Sequence, residues 1–213
     1  MKKAFFLILI SVISISVRGQ KSSLSIKAGI TNCTTKSMLI PSTGQLRLGG
    51  YEPRTGGLSG IRYDRKLSKY FDTGIELLYL LKGNTLTVPV MKTYSNHYLN
   101  FSPFISVFPF ANSENKYISC ISPEISFDYN HFLGTNNIWE SEGFKLYQYE
   151  LGYSLKLTYQ PKKFGVQLFY FKALSPYVSY HSKTVDMSDS KYSFVSGVSI
   201  LYKIFPTGND HKK

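Results

Sequence analysis

The chain has 213 residues, enough for one domain, with 17 Tyr and 15 Phe but a single Trp. Ala is scarce and no long stretch has helical periodicity, which excludes an α-rich fold. The formal net charge is +12, yet the basic residues are scattered, without the basic helix or clustered patch that nucleic-acid binding requires.

The N-terminus carries Lys2 and Lys3, then an apolar run over 4–17 broken only by Ser11, Ser14 and Ser16, then Val17-Arg18-Gly19. This is the layout of a secretory signal peptide over 1–19, leaving 20–213 as the mature domain. No later stretch is long and apolar enough for a transmembrane helix. An exported chain without such a helix can enter a membrane only as a closed β-barrel.

The alternation of apolar and polar residues predicts eight strands. The first covers 24–31, with Leu24, Ile26, Ala28 and Ile30 on one face and Ser25, Lys27, Gly29 and Thr31 on the other. The second covers 58–66, with Gly60, Arg62 and Asp64 on its polar face. The third covers 71–82, where Phe71, Ile75, Leu77, Tyr79 and Leu81 alternate with Asp72, Gly74, Glu76 and Lys82. Leu78 and Leu80 break that polar face.

The fourth strand covers 98–110, its parity blurred by Phe104 and Phe108. A short polar turn over 111–116 leads to the fifth, 117–130, with Ile125, Phe127 and Tyr129 opposite Cys120, Ser122, Glu124, Ser126 and Asp128. Pro103 and Pro123 fall inside these two strands. Pro removes a ladder donor, so a bulge is expected at each.

The sixth strand, to residue 160, has the clearest pattern: Tyr147, Tyr149, Leu151, Tyr153, Leu155, Leu157 and Tyr159 alternate with polar residues or Gly. That run exceeds the ~5–6 residues of a typical soluble strand and suits the ~9–11 that cross a bilayer. The seventh covers 164–172 and the eighth 191–204.

Connections alternate long and short. The long ones, 32–57, 83–97, 131–145 and 173–190, are expected to face the cell exterior and to carry any contact with envelope proteins or surface ligands. The mean hydropathy of −0.12 fits a barrel whose two faces cancel in any window.

The polar face carries Lys27, Arg62, Asp64, Glu76, Glu124, Asp128, Glu150, Lys156 and Lys203, with the two signs in near balance. Facing lipid, each Lys or Arg at the midplane would cost roughly 2–4 kcal/mol. Inside a barrel they can pair, and eight strands leave an interior just filled by side chains. The expected fold is therefore an all-β, eight-stranded antiparallel up-and-down transmembrane barrel with a charge-paired interior. The other architecture considered is a secreted soluble barrel around an apolar ligand cavity.

Three stretches carry a family likeness: Glu76-Leu77-Leu78-Tyr79-Leu80-Leu81-Lys82-Gly83, Tyr98-Leu99-Asn100-Phe101-Ser102-Pro103, and Ser122-Pro123-Glu124. In these the chain resembles the PorT-like outer-membrane β-barrel domains of Bacteroidetes-type bacteria. It has Ser102 where that family usually has an aliphatic residue and Ser122 where Gly is usual. The resemblance implies the outer membrane of a Gram-negative cell. Its motifs are structural and bring no catalytic residue.

Little else suggests chemistry. Cys33 and Cys120 belong at opposite ends of the barrel, too far apart for a disulfide, so two free thiols are expected. His97, His131 and His181 fall at the rim without metal-ligand spacing, and no metal or cofactor site is expected. His181-Ser182 is the one adjacent pair that a lipid-modifying enzyme could use, but it lacks an evident orienting acid. Glu76, Glu124 and Glu150 read as lumenal ion-pair partners rather than acid-base catalysts. No phosphate-cradling Gly loop is present, and Gly49-Gly50 and Gly56-Gly57 read as loop and strand-entry residues. The expected role is a non-porin outer-membrane barrel in a structural, binding or assembly role, not an enzyme.

Overall fold

The computed structural model describes residues 22–39, 51–86, 92–135, 144–182 and 187–207. The expected signal peptide over 1–19 lies outside the described residues. The strands are β1 (Ser22–Leu39), β2 (Tyr51–Lys66), β3 (Phe71–Leu86), β4 (Lys92–Val107), β5 (Ile121–Thr135), β6 (Phe144–Leu146), β7 (Tyr149–Tyr159), β8 (Phe164–Ala173), β9 (Val178–Ser182) and β10 (Met187–Thr207). A single 3-10 turn, Ile118–Cys120, precedes β5 among the described residues.

β1, β2, β3, β4, β5, β7, β8 and β10 follow one another around an antiparallel sheet, and β10 pairs back onto β1. These eight staves form a closed barrel with no free sheet edge around the span. β9 and β6 extend the wall on the far side of β10. The short connections at 67–70 and 160–163, together with Ser22 and Thr207, define one end, called the turn end below. The opposite end is the loop end.

The side-chain alternation places each residue as the sequence pattern expects over the span: burial in β5 and β7 switches at nearly every residue. The strand limits differ more. β1 runs on to Leu39, β2 begins at Tyr51, β4 at Lys92, and β10 extends over Met187–Thr207. Much of the long connections expected at 32–57, 83–97, 131–145 and 173–190 is thus strand continuing beyond the span. Backbone pairing such as Leu39↔Asp189 holds these extensions. Their inward side chains are still buried, as at Thr35, Ser95 and Asn96, but these are polar, and the outward face there has left the apolar belt, so no apolar–polar contrast marks the strand in sequence.

At the turn end β4 stops at Val107 and β5 starts at Ile121, so 108–120 forms the connection instead of the expected 111–116. The sixth predicted strand divides into β6 and β7 around Tyr147 and Gln148.

The expected bulges at Pro103 and Pro123 are absent. Phe101 faces Tyr129 and Phe104 faces Ser126, so three residues advance on each strand across Pro103. Pro123 faces Leu157 within an unshifted β5–β7 register. Both proline rings face outward, and each removes one backbone donor without shifting the register. Register shifts occur instead at Leu24/Ser25, Pro53/Gly57 and His97/Tyr98.

Inward glycines make room for inward phenylalanines. A Cβ on Gly74 would lie 2.5 Å from the Phe104 ring, and one on Gly152 would lie 2.4 Å from the Phe171 ring. Gly152→Ala is therefore expected to destabilise the barrel by about 1–3 kcal/mol through overpacking. Gly134→Ala, with nothing within 4 Å of the added Cβ, is the neutral control. Urea unfolding followed by the gel shift between folded and unfolded forms checks both.

Candidate functional site: the sealed lumen and its lipid-facing belt

Inward positions of all eight staves meet in polar clusters, the first of them built around β3. Glu76 of β3 lies at its centre, fully buried. Lys27 Nζ of β1 donates to both of its oxygens at 2.9 and 3.0 Å. Lys156 Nζ of β7 reaches Oε2 at 2.6 Å, and Arg62 Nη1 of β2 reaches Oε1 at 3.2 Å.

Arg62 also grips Glu124 of β5 with both terminal nitrogens, at 2.8 and 3.0 Å, and Asp64 through Nε at 2.8 Å. Planar two-pronged contact of this kind is what guanidinium geometry favours. The guanidinium lies 4.0 Å from the centre of the Phe104 ring. Gln167 of β8 ties two anchors together, accepting from Lys27 at 2.5 Å and donating to Glu124 at 3.1 Å and Thr158 at 2.7 Å.

Nearer the loop end, Glu150 of β7 receives Lys82 of β3, Ser193 of β10 and, at 3.2 Å, Asn130 of β5. Asp128 accepts from Ser154 at 2.7 Å and Asn100 at 3.2 Å. The buried charges Lys27, Arg62, Lys82 and Lys156 thus sit among Glu76, Glu124, Asp128 and Glu150. Pairing and hydrogen bonding are what permit charges in such surroundings.

Lumenal pairing expected for the polar face holds for Lys27, Arg62, Asp64, Glu76, Glu124, Glu150 and Lys156. Lys203, expected inside, lies half-buried at the turn-end mouth, its backbone N–H bonded to Lys163 O at 2.9 Å. Lys82, Gln167 and Ser193 were not singled out as partners. Their parity places them inward, but the partners come from distant staves, which no local pattern reveals.

The lumen is not polar throughout. Leu78 and Leu80, the residues that break the polar face, are buried inside. Leu58, Leu80 and Tyr98 form a packed layer joined by Phe132 and Phe169, and Cys33, Phe171, Ala173 and Val195 form another. Lys82 bridges charge and ring, 4.2 Å from the centre of Phe171. A lumenal cavity lined by Lys27, Glu76, Asn100 and Asp128 is only about 20 Å³, room for one water. Asn100 Oδ1, which no protein donor reaches, lines it.

The outside is the reverse of a soluble protein's. Ile30, Ile61, Leu77, Ile105, Ile125, Phe127, Leu155, Leu168 and Ile200 are all exposed. Aromatic rings edge this belt. Phe164 and Tyr202 lie 4.9 Å apart at the turn end. At the loop end Tyr129 stacks on Tyr149 at 6.1 Å and on His131 at 6.4 Å, while Tyr79 OH meets His97 Nδ1. The eleven residues of β5 from Ile121 to His131, tilted by the usual 35–45°, rise about 25 Å, the height of a lipid-facing band.

His97 and His131 are accordingly girdle residues. Among the described residues no three His, Cys, Asp or Glu side chains are grouped to hold a metal. Cys33 is buried among apolar side chains and Cys120 lies in the turn-end connection, both as free thiols. His181 and Ser182 lie on β9, opposite Ser188 and Met187, and their side chains fall outside the described part.

A closed barrel with ion pairs inside and an apolar belt outside is a membrane-spanning β-barrel. Neither a protein-family model nor a curated protein sequence matches the chain. Among solved structures, the outer membrane protein OprG from Pseudomonas aeruginosa aligns with a TM-score of 0.48 and 12% identity, over 86% of this chain and 98% of that one. Neisserial surface protein A (NspA) aligns with 0.46 and 10% identity, over 86% and 99%. Outer Membrane Protein W of E. coli aligns with 0.41 and 14% identity, over 86% and 98%. Values of this size carry nothing about what this chain binds.

Proposed function

We infer that this chain is a small non-porin protein of the Gram-negative outer membrane, acting through its loop end in a structural, binding or assembly role. The filled lumen carries this reading: every stave contributes buried inward side chains to the plug, and the cavity among them is about 20 Å³. The strands that continue past the girdle, such as β10 over Met187–Thr207, give the outer connections a paired, rigid base. Export and the PorT-like affinity belong to the same proposal and rest on the leader pattern at 1–19 and the motifs around Glu76, Tyr98 and Pro123.

Reconstituted into planar bilayers, the protein is expected to give no stable conductance steps; regular steps would refute a sealed barrel. Cys120 tests orientation, because Cys33 is only 2% exposed and stays silent. A membrane-impermeant maleimide should miss Cys120 in intact cells and label it once the outer membrane is permeabilised. Labelling in intact cells would invert the proposed topology.

A further inference from the structure

Basic residues that are scattered in sequence converge at the turn end. Arg65, Lys66 and Lys69 come from the β2–β3 turn region, Lys116 from the 108–120 connection, Lys162 and Lys163 from the β7–β8 turn, and Lys203 from β10. Asp64, Asp72 and Glu114 are the acidic residues among them in the described part, and Asp64 is held by Arg62 of the lumen.

Among the described residues these segments form one continuous arc from β2 round to β10. Asn112 Nδ2 donates to Tyr70 OH at 2.6 Å, joining the first turn to the long connection. The backbone N–H of Phe108 donates to Tyr70 O at 2.8 Å. Gln160 N donates to Cys120 O at 3.2 Å, and Lys203 N to Lys163 O at 2.9 Å, completing the links to β8 and β10.

The arc sits where headgroups meet the belt. Lys163 directly precedes Phe164, which is 66% exposed, whereas Lys203, opposite the buried Ser25, faces the lumen mouth behind this edge. Exposed apolar and aromatic residues alternate with the cations: Leu67 and Tyr70 beside Lys69, and Tyr117 and Ile118 beside Lys116. Lys116 Nζ lies 5.2 Å from the centre of the Tyr117 ring. Amphipathic rings and long cationic side chains interleaved at a belt's edge are interfacial anchors, with ammonium groups held at phosphate height.

We propose that this collar binds the phosphate groups of anionic phospholipids in the leaflet at the turn end, making a shell enriched in those lipids around the barrel. The placement favours lipid over an acidic protein, because the cations line the belt's edge and alternate with side chains that seek the interface. The proposal rests on the membrane-spanning reading.

The test uses the full mature chain in bilayers of phosphatidylcholine with about 20% phosphatidylglycerol, probed by spin-labelled forms of either lipid. The expected result is several-fold preference for phosphatidylglycerol in the motionally restricted shell, falling with added salt as exposed charges are screened. Lys66→Gln, Lys69→Gln, Lys162→Gln and Lys163→Gln combined should abolish the preference, while Lys172→Gln at the loop end should leave it. The folded gel band confirms that each variant has its barrel. Equal association of both lipids with the wild type, or a preference that survives the fourfold change, overturns the proposal. Binding of a soluble polyglutamate peptide without lipid preference also overturns it. Absence of any restricted lipid would instead refute the membrane-spanning reading itself.

Discussion

Glu76→Ala is expected to lower stability by about 3–5 kcal/mol, the usual loss when one partner of a buried ion pair is removed. The carboxylate is fully buried and receives Lys27, Lys156 and Arg62 from three other staves. Arg62 would keep Glu124 and Asp64. Lys27 and Lys156 would fall back on neutral acceptors, Gln167 Oε1 at 2.5 Å and Ser102 Oγ at 3.3 Å. Two cations would then stand in a lumen with too little room for solvent to replace the lost charge. Urea titration of protein folded in phospholipid vesicles measures the loss. Lys27→Met added to Glu76→Ala should recover part of it, because the second change removes a stranded charge. An unchanged midpoint for Glu76→Ala would mean that the network does not hold the staves together.

Leu155→Arg carries the second large effect and decides which side of the wall meets lipid. Leu155 is 51% exposed, faces Ile125 on β5 and Tyr170 on β8, and lies between Tyr149 and Tyr159 at the two ends of β7. Near the bilayer midplane the substitution should cost about 2–4 kcal/mol. On a water-facing barrel the same change at an exposed site would fall within about 0.5 kcal/mol. Lys172→Leu, at the loop-end edge, should have little effect. A neutral result for Leu155→Arg in vesicles would remove the belt from contact with acyl chains.

Legibility followed how local each property is. The period of two is written into adjacent residues, so Ile125, Phe127 and Tyr129 read as one face and Glu124, Ser126 and Asp128 as the other before any partner is known. The limits of β1, β2, β4 and β10 were less readable, because beyond the girdle the inward face stays buried but polar, as at Thr35 and Asn96, while the outward face is no longer apolar, so pairing continues without a contrast that the sequence shows. Leu78, Leu80 and Phe104 looked like errors of parity. All three are buried inward residues; Leu80 packs an apolar layer and Phe104 underlies Arg62, roles that depend on glycines and rings from other strands.

By itself, then, the amino-acid order determined the number of staves across the span, their side-to-side parity and the sign balance of the hidden face, since each needs only neighbours along one strand. Closure through β1 and β10 decided the rest. It brought Glu76 to Lys27, 49 positions away, and to Lys156, 80 positions away. It also gathered lysines from separate connections at one mouth. Such meetings are set by register and curvature around the whole wall, and no window along the chain contains both partners.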